Sequence, residues 1–382
     1  MRVLILGGDG YLGWALAMHL SARGDEVTVV DNHMRRSLAR EHDVDNLFDV
    51  PSLPDRCRIF GELAGRQIKC HIGDLRQWKT WEDVFDLSQP QAIVHFAEQP
   101  SAPFSMLNRD AAMLTLTNNL TVTGYLVHAV HELAPDAHII KLGTMGEYGT
   151  PNIDIEEGWI DITHKARSDR FLFPRQASSN YHTTKIMDTD YLWFYVRAWK
   201  LAVTDLMQGP VYGIFTDQSR TDARLRPLFA YDEIFGTVIN RFVIQAVLGM
   251  DLTVYGKGGQ TRGYLNIVDT LKCVTLAIDS PAKRGELRIF NQFVETFSVN
   301  ELAAHVVDAA QSVGFKTGIR TMPNPRIEKE EHYYNPAHSG LTDLGLEPVL
   351  LSSDVLVEMI EAVAKARDRI RPETIIRNVK WA

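Results

Sequence analysis

The chain has 382 residues, 45% of them hydrophobic and 23% charged, with a formal net charge of −8 at pH 7. This length predicts two or three structural units, and the apolar fraction excludes a disordered chain. The mildly acidic balance argues against nucleic-acid binding, and no apolar run is long enough for membrane insertion. The three cysteines, Cys57, Cys70 and Cys273, lack C-x-x-C spacing, so we expect reduced thiols, no bound metal and a cytoplasmic protein.

The chain opens with the pattern of a strand, a glycine turn and a helix. Residues 3–6 are continuously apolar, and apolar residues between Leu12 and Leu20 then recur with helical spacing. Further strand-like runs occupy residues 27–30, 92–96, 138–142 and 202–206, with helical stretches at 119–133 and 181–199. Strands that alternate with helices predict an α/β fold with a doubly wound parallel (Rossmann) sheet.

Two polar stretches, residues 34–70 and 150–180, interrupt this alternation, and connections of such length are usually functional. After residue 207 the alternation weakens into mixed signals, with short strands at 252–255, 263–267 and 287–290 and a helix at 299–313. We therefore predict a Rossmann domain over residues 1–207. Residues 208–382 are expected to form a smaller mixed α/β substrate-binding lobe, some of whose segments are free to return to the first domain.

Gly7, Gly10 and Gly13 form G-x-x-G-x-x-G between the first strand and its helix, a spacing typical of dinucleotide binding. Asp31 ends the second strand, where a carboxylate binds the adenosine ribose and repels a 2′-phosphate, so we predict NAD rather than NADP. Arg35 and Arg36 weakly favour NADP, because either can hold a phosphate. Alternatively, both are solvated surface charges. Further positions assigned to the cofactor are Asp9, Tyr11, Asn32, Asp74, Leu75 and Asn119.

Tyr181 and Lys185 form Y-x-x-x-K, which places both side chains on one helix face. A lysine ammonium lowers the pKa of a nearby phenol, and the phenolate then takes a proton from a substrate alcohol while hydride leaves to nicotinamide. Thr144, at the end of a buried strand, is placed to orient the same alcohol. The trio resembles the extended short-chain dehydrogenases/reductases, which act mostly on nucleotide sugars. The alternative is a surface tyrosine and lysine on an amphipathic helix.

Several longer segments resemble the UDP-sulfoquinovose synthases over nearly the whole chain. They are residues 7–14, residues 141–158 around Met145-Gly146-Glu147, residues 255–264, residues 290–293 and residues 330–334. The resemblance implies tightly held NAD and the substrates UDP-glucose and sulfite. It further implies oxidation of the sugar at carbon 4, loss of the 6-hydroxyl as water to give a 4-keto-5,6-ene, sulfite addition at carbon 6, and return of the hydride.

By the same resemblance, Tyr181, Lys185 and Thr144 take the redox roles, and Glu147 and His182 are candidates for the acid and base of the elimination. Glu147 is alternatively a carboxylate that caps a turn. His182 alternatively points about 100° away from Tyr181 around an ideal helix. Met145 is assigned to the catalytic site, where it packs against the sugar. Sugar 4,6-dehydratases carry T-D-E here, so Met145-Gly146 weakens an ordinary dehydratase interpretation without excluding an epimerase.

The resemblance also implies substrate contacts in the second lobe. Arg262 is assigned to the diphosphate, residues 252–255 with Thr253 and Tyr255 to uracil, Gln208 to the sugar and Val211 to nicotinamide. Weaker candidates are Arg241 and Arg326, and Arg109 is a candidate to replace the arginine that family members carry where this chain has Pro100.

A homodimer is expected through residues 108–134 and 181–199, and a partner enzyme is a candidate for sulfite delivery. The alternatives are another NAD-dependent UDP-sugar epimerase or dehydratase, and an NAD-binding scaffold without turnover.

Overall fold

The computed structural model describes residues 1–324 and 332–376. The strands are β1 (Arg2–Leu6), β2 (Glu26–Asp31), β3 (Ile68–Ile72), β4 (Ala92–His95), β5 (His138–Thr144), β6 (Trp159–His164), β7 (Arg167–Leu172), β8 (Ala202–Gln208), β9 (Val211–Tyr212), β10 (Leu252–Tyr255), β11 (Thr261–Asn266), β12 (Glu286–Gln292), β13 (Glu295–Ser298) and β14 (Ile319–Met322). The helices are α1 (Tyr11–Arg23), α2 (Met34–Glu41), α3 (Leu53–Ala64), α4 (Trp78–Ser88), α5 (Ala102–Ser105), α6 (Arg109–Leu133), α7 (Asn180–Trp199), α8 (Val238–Leu248), α9 (Ile267–Asp279), α10 (Val299–Ser312), α11 (Gly340–Asp343) and α12 (Ser353–Ala364).

The central sheet runs in the order β12-β8-β5-β4-β1-β2-β3 and all its neighbouring strands pair in parallel. Its inner strands are buried on both faces; in β1, for example, Val3 to Leu6 are all fully buried. The strand order reverses between β1 and β4, and ligands of such sheets bind at the carboxyl ends of the strands beside this reversal. The predicted doubly wound parallel sheet is therefore confirmed.

The second lobe surrounds its own apolar core. Helices α8, α10 and α12 pack around residues such as Phe242, Leu302 and Ile360. Two small sheets accompany them, one of β13, β11 and β9, the other of β10 and β14. The polar stretch at 150–180 contains an antiparallel hairpin of β6 and β7.

Two elements of residues 208–382, the range predicted for the second lobe, lie in the first domain. Strand β12 pairs with β8 at the edge of the central sheet, and α9 packs against α1. The sequence signal at 287–290 is a strand, and it is one of the segments of the second range that return to the first domain. The stretch at 34–70 folds as α2 and α3, and α6 begins at Arg109, ten residues earlier than expected. No helix within residues 1–324 and 332–376 is long and apolar enough to cross a membrane.

Candidate active site

A cavity of about 560 Å³ opens along the carboxyl ends of the central strands. Three groups of predicted site residues line it together. They are the glycine turn with Asp31, the pair Thr144 and Tyr181, and the second-lobe residues Gln208, Val211, Arg241, Thr253, Tyr255 and Arg262. A dinucleotide site and a site rich in arginine therefore share one space with the predicted proton-transfer groups.

The glycine turn is packed so tightly that side chains would not fit. A Cβ on Gly13 would lie 2.1 Å from the carbonyl oxygen of Gly7, and one on Gly7, whose φ is +88°, would lie 2.8 Å from the backbone of Phe96. Gly10 caps α1 without a side-chain hydrogen bond, so the first-turn N–H groups remain available to an anion. The Tyr11 hydroxyl donates to the carbonyl of Gly213 at 2.6 Å and fixes the helix against the loop after β9.

The cavity edge near β2 carries the carboxyl groups of Asp31 and Asp74. Burial and the charge of Asp9 raise the pKa of Asp31. Asn32 and Asp74 line the same edge, and Arg76 holds the Asp74 carboxylate at 2.6 Å. Leu75 lies beside them with its side chain in the core.

Arg35 and Arg36, the two arginines that could have held a 2′-phosphate, both contact other protein groups. Arg35 stacks with its guanidinium 3.6 Å from the centre of the Phe235 ring. Arg36 forms a bidentate pair with Asp9.

Helix α7 presents Tyr181 and Lys185 in its first two turns. Ser179 caps the helix by accepting from the backbone N–H of His182 at 3.1 Å. The ammonium of Lys185 donates to Glu98 at 2.6 Å, and both side chains are almost completely buried. Burial and then the charge of Glu98 raise the pKa of Tyr181. The net shift of the phenol pKa is therefore upward, chiefly because Tyr181 is buried, and not downward as the Lys185 spacing predicted.

Thr144 and Glu147 form a capping box where β5 ends. The Thr144 hydroxyl accepts from the N–H of Gly146 at 3.2 Å, while Glu147 accepts from the N–H of Thr144 at 3.2 Å. Glu147 is fully buried and pairs with Lys141 at 3.4 Å and Arg175 at 3.3 Å. Burial raises its pKa although both cations oppose this. The alternative of a turn-capping carboxylate therefore describes Glu147 in this structure.

His182 lines the cavity, in contrast to Glu147. Its ring lies against Gly146, where an added Cβ would come within 2.4 Å of Nε2, and its centroid lies 5.2 Å from that of Tyr181. Nδ1 is 3.2 Å from the hydroxyl of Ser178. The ring thus faces the same space as Tyr181 despite the offset that an ideal helix predicts.

The second lobe brings most of its predicted contacts to the cavity. Arg262 contacts His332 at 2.9 Å, and Arg241 lies 5.6 Å from the centre of the Tyr255 ring. The Tyr255 hydroxyl donates to Glu233 at 3.0 Å.

Hydrogen bonds fix two further wall residues of this lobe. Gln245 binds both the backbone and the hydroxyl of Thr253, and Gln208 donates to Thr270 at 3.1 Å. These hydrogen bonds hold the side chains of Gln208 and Thr253 in fixed positions on the cavity wall.

Among the described residues, the predicted positions Arg109, Met145 and Asn119 do not line the cavity, and neither do Asp9, Arg36, Glu147 and Lys185. Arg109 is 87% exposed and pairs with its neighbour Asp110, because it opens α6 on the surface. Met145 packs in the apolar core. Asn119 is buried behind the wall, where it donates to Thr184 at 3.1 Å, while its neighbour Asn118 lines the cavity. Arg326 lies outside the described residues.

Sequence reasoning missed several charged groups of the site. Glu98 follows β4 at the carboxyl edge of the sheet, and that position was the available signal. Lys141, Arg175 and Arg56 have buried side chains that pair with Asp205, Glu147 and Asp9, each of them distant from its cation in the sequence. Nothing local in the sequence distinguishes them from surface charges.

Comparison with known proteins identifies the class. The chain belongs to the NAD dependent epimerase/dehydratase family, whose model matches residues 3–291. Solved structures agree on the fold. The UDP-glucose 4-epimerase of Bifidobacterium longum, in complex with NAD+ and UDP, has a TM-score of 0.72 at 20% identity and covers 97% of this chain and 100% of its own. The Thermotoga maritima UDP-glucose 4-epimerase, with UDP-glucose, has a TM-score of 0.70 at 20% identity over 96% of this chain and 99% of its own.

Two curated relatives narrow the assignment. The chloroplastic UDP-sulfoquinovose synthase of Spinacia oleracea is 47% identical over all of this chain and 79% of the relative. The UDP-sulfoquinovose synthase of Sulfolobus acidocaldarius is 42% identical over all of this chain and 98% of the relative. Within the larger family, the chain therefore belongs with the UDP-sulfoquinovose synthases, and the family expectation from the sequence is confirmed.

Proposed function

We propose that this chain converts UDP-glucose and sulfite to UDP-sulfoquinovose and water, with NAD as its resident cofactor. The full-length similarity to two synthases supports this function. The observation that carries it is the shared cavity, which joins the glycine turn, the Thr144 and Tyr181 pair, and Arg241 and Arg262. A nucleotide sugar bound through its diphosphate would then place its hexose beside the proton-transfer groups.

The residues present fit NAD. The turn at Gly7, Gly10 and Gly13 lets the backbone approach a pyrophosphate, and the uncapped N–H groups of α1 would bind it. Asp31 and Asn32 would hold the adenosine ribose, Asp74 and Leu75 the adenine, and Tyr181, Lys185 and Val211 the nicotinamide riboside. When bound, NAD would supply hydride chemistry at carbon 4 of the sugar.

Tyr181 would accept the proton of the 4-hydroxyl at its Oη, while Thr144 orients that hydroxyl through Oγ1. Burial raises the pKa of Tyr181, so its phenolate form would be a strong base toward this proton. A ketone at carbon 4 acidifies the hydrogen on carbon 5, and loss of the 6-hydroxyl as water leaves a carbon that sulfite can attack. His182 is our candidate for these proton transfers because its ring lines the cavity.

The product assay tests the proposal. Purified chain is incubated with UDP-glucose, with and without isotopically labelled sulfite, and the nucleotide sugars are measured by mass spectrometry. A labelled sulfonated product that depends on both substrates is expected, and Tyr181→Phe serves as the inactive control. If labelled sulfite never enters the nucleotide sugar while UDP-glucose is turned over, the synthase assignment is wrong.

A UDP-sugar 4-epimerase is the second candidate. One observation favours it: Glu147 forms ion pairs with Lys141 and Arg175. The site therefore has one acid–base group fewer for the elimination of water. An epimerase needs only the hydride transfer and the Tyr181 proton. NMR spectra of UDP-glucose incubated with the chain would then show UDP-galactose without any need for sulfite.

We further propose that the chain forms a homodimer through α6 and α7. These helices pack side by side and leave large apolar side chains in water. The exposed group comprises Met113, Met187, Tyr191 and Phe194, of which Phe194 is 54% exposed. Such a patch marks a protein interface more often than a free surface. Sulfite delivery by a partner enzyme and a cytoplasmic location stay predictions.

A further inference from the structure

The glycine turn contains a carboxylate, which is an unfavourable group at this place. Asp9 lies between Gly8 and Gly10, just before α1. The N-terminus of this helix is where we expect a pyrophosphate, and a carboxylate nearby repels phosphate unless other charges neutralise it. Since the Asp9 side chain is only 2% exposed, water does not neutralise it and its partners lie within the protein.

Two arginines hold the Asp9 carboxylate. Arg36 donates to both oxygens, from Nε at 2.6 Å and from Nη2 at 2.9 Å, and also donates to the backbone carbonyls of Val50 and Pro51. Arg56 donates to Oδ1 at 2.6 Å and lies against the ring of Trp14. Although burial opposes it, these two cations lower the pKa of Asp9. The carboxylate is therefore ionised and keeps both guanidinium groups in place.

This cluster lies directly behind the predicted ribose site. The N–H of Asp9 donates to Asp31 at 2.9 Å, and ligand atoms of Asp9, Asp31 and His33 all lie within 4.8 Å of one another. Asp31 lines the cavity, whereas Asp9 and Arg36 lie behind that wall. Such a group of donors would suit a cation, but Arg36 and Arg56 already pair with the Asp9 carboxylate.

We propose that Asp9 determines cofactor specificity, because it withholds Arg36 from the adenosine ribose and so prevents recognition of a 2′-phosphate. The inference rests on the proposed binding of NAD. Arg36 is the relevant cation since its side chain is 17% exposed, whereas that of Arg56 is fully buried. The carboxylate of Asp31 repels a 2′-phosphate. Arg35 also lines this part of the cavity, but its guanidinium stacks on Phe235, and Asp9 holds the second arginine, Arg36, that could compensate for Asp31.

Neutralising Asp9 tests this directly. In Asp9→Asn, Arg36 loses its charged partner and becomes an available cation beside Asp31, and guanidinium groups bind phosphate bidentately. The ratio of the NADP to the NAD dissociation constant should therefore fall by about tenfold or more. In Asp9→Asn/Arg36→Leu this gain should disappear. Asp222→Asn, which breaks the surface pair of Asp222 with Arg224, is the matched control and should leave the ratio unchanged.

Dissociation constants are measured by titration calorimetry on the full chain after bound nucleotide has been stripped, with circular dichroism to check folding. Because Asp9→Asn leaves Arg56 buried without its partner, Asp9→Asn/Arg56→Met is made in parallel; it removes that charge and retains Arg36. A ratio that stays within about twofold of the parent in the folded variants overturns the inference, as does a gain that survives removal of Arg36. If the unmodified chain binds neither nucleotide, the proposed function itself fails.

Discussion

The buried pair of Glu98 and Lys185 provides a sharp test, because we expect both catalysis and stability to depend on it. The two side chains are 4% and 3% exposed and 2.6 Å apart, so solvent screens their attraction very little. Although burial lowers the pKa of Lys185, Glu98 and Asp188 raise it above 10.5. The contribution of the Lys185 charge to stability is therefore complete at neutral pH and is lost as the pH rises past that value.

Glu98→Gln keeps the shape of the side chain and removes its charge. Breaking a buried pair from one side costs about 3–5 kcal/mol, and we expect the lower end because the amide oxygen still accepts from Lys185. The variant has a second effect on the reaction, since the charge of Glu98 raises the pKa of Tyr181. The acid limb of the kcat profile should therefore move to lower pH in Glu98→Gln.

Urea unfolding at neutral pH and the pH dependence of kcat measure the two effects. Glu62→Gln is the matched control, because Glu62 forms a pair of similar length with Arg58, at 2.7 Å, but both side chains are 60% exposed. That variant should change the free energy of unfolding far less. Equal losses in the two variants, or an acid limb that moves to higher pH in Glu98→Gln, would refute the reasoning.

Three further predictions concern the phenol, a buried histidine and the proposed interface. Tyr181→Phe should abolish turnover while NAD still binds, as measured by product formation and calorimetry; near-normal rates would remove Tyr181 as the proton acceptor. Burial lowers the pKa of His95 from 6.5 to about 4, so its neutral form stabilises the fold above pH 6.5 by about 3 kcal/mol, and this is lost as the pH falls toward 4. His95→Gln should therefore lose less stability than the parent between pH 7.5 and about 4.5 in urea titrations. Phe194→Glu should yield monomers in light scattering, whereas Leu63→Glu, at a 52% exposed site on α3, should not.

If His95→Gln and the parent lose the same stability on acidification, groups other than His95 cause that loss. For Phe194, a dimer that survives the charged residue would place the interface elsewhere. Leu63 is a suitable control because it is equally exposed and apolar but lies far along the chain from α6 and α7.

Local signals in the sequence determined the cofactor half of the protein. The apolar run before Gly7, the glycine spacing and Asp31 at the end of β2 depend on neighbours within a few residues. A strand buried on both faces requires a continuous apolar run, and the tight turn before a helix requires glycines, so both can be recognised from residue type. The Tyr181 and Lys185 spacing predicted a shared helix face for the same reason.

Only the tertiary structure decided which strands and charges meet. Strand β12 returns to the central sheet because parallel pairing with β8 joins residues far apart along the chain. Glu98 reaches Lys185 over 87 positions, and Arg56 reaches Asp9 over 47. Arg109, in contrast, faces water. A charged residue has the same local pattern whether it is buried with a partner or solvated, so its role depends on contacts that only the folded chain creates.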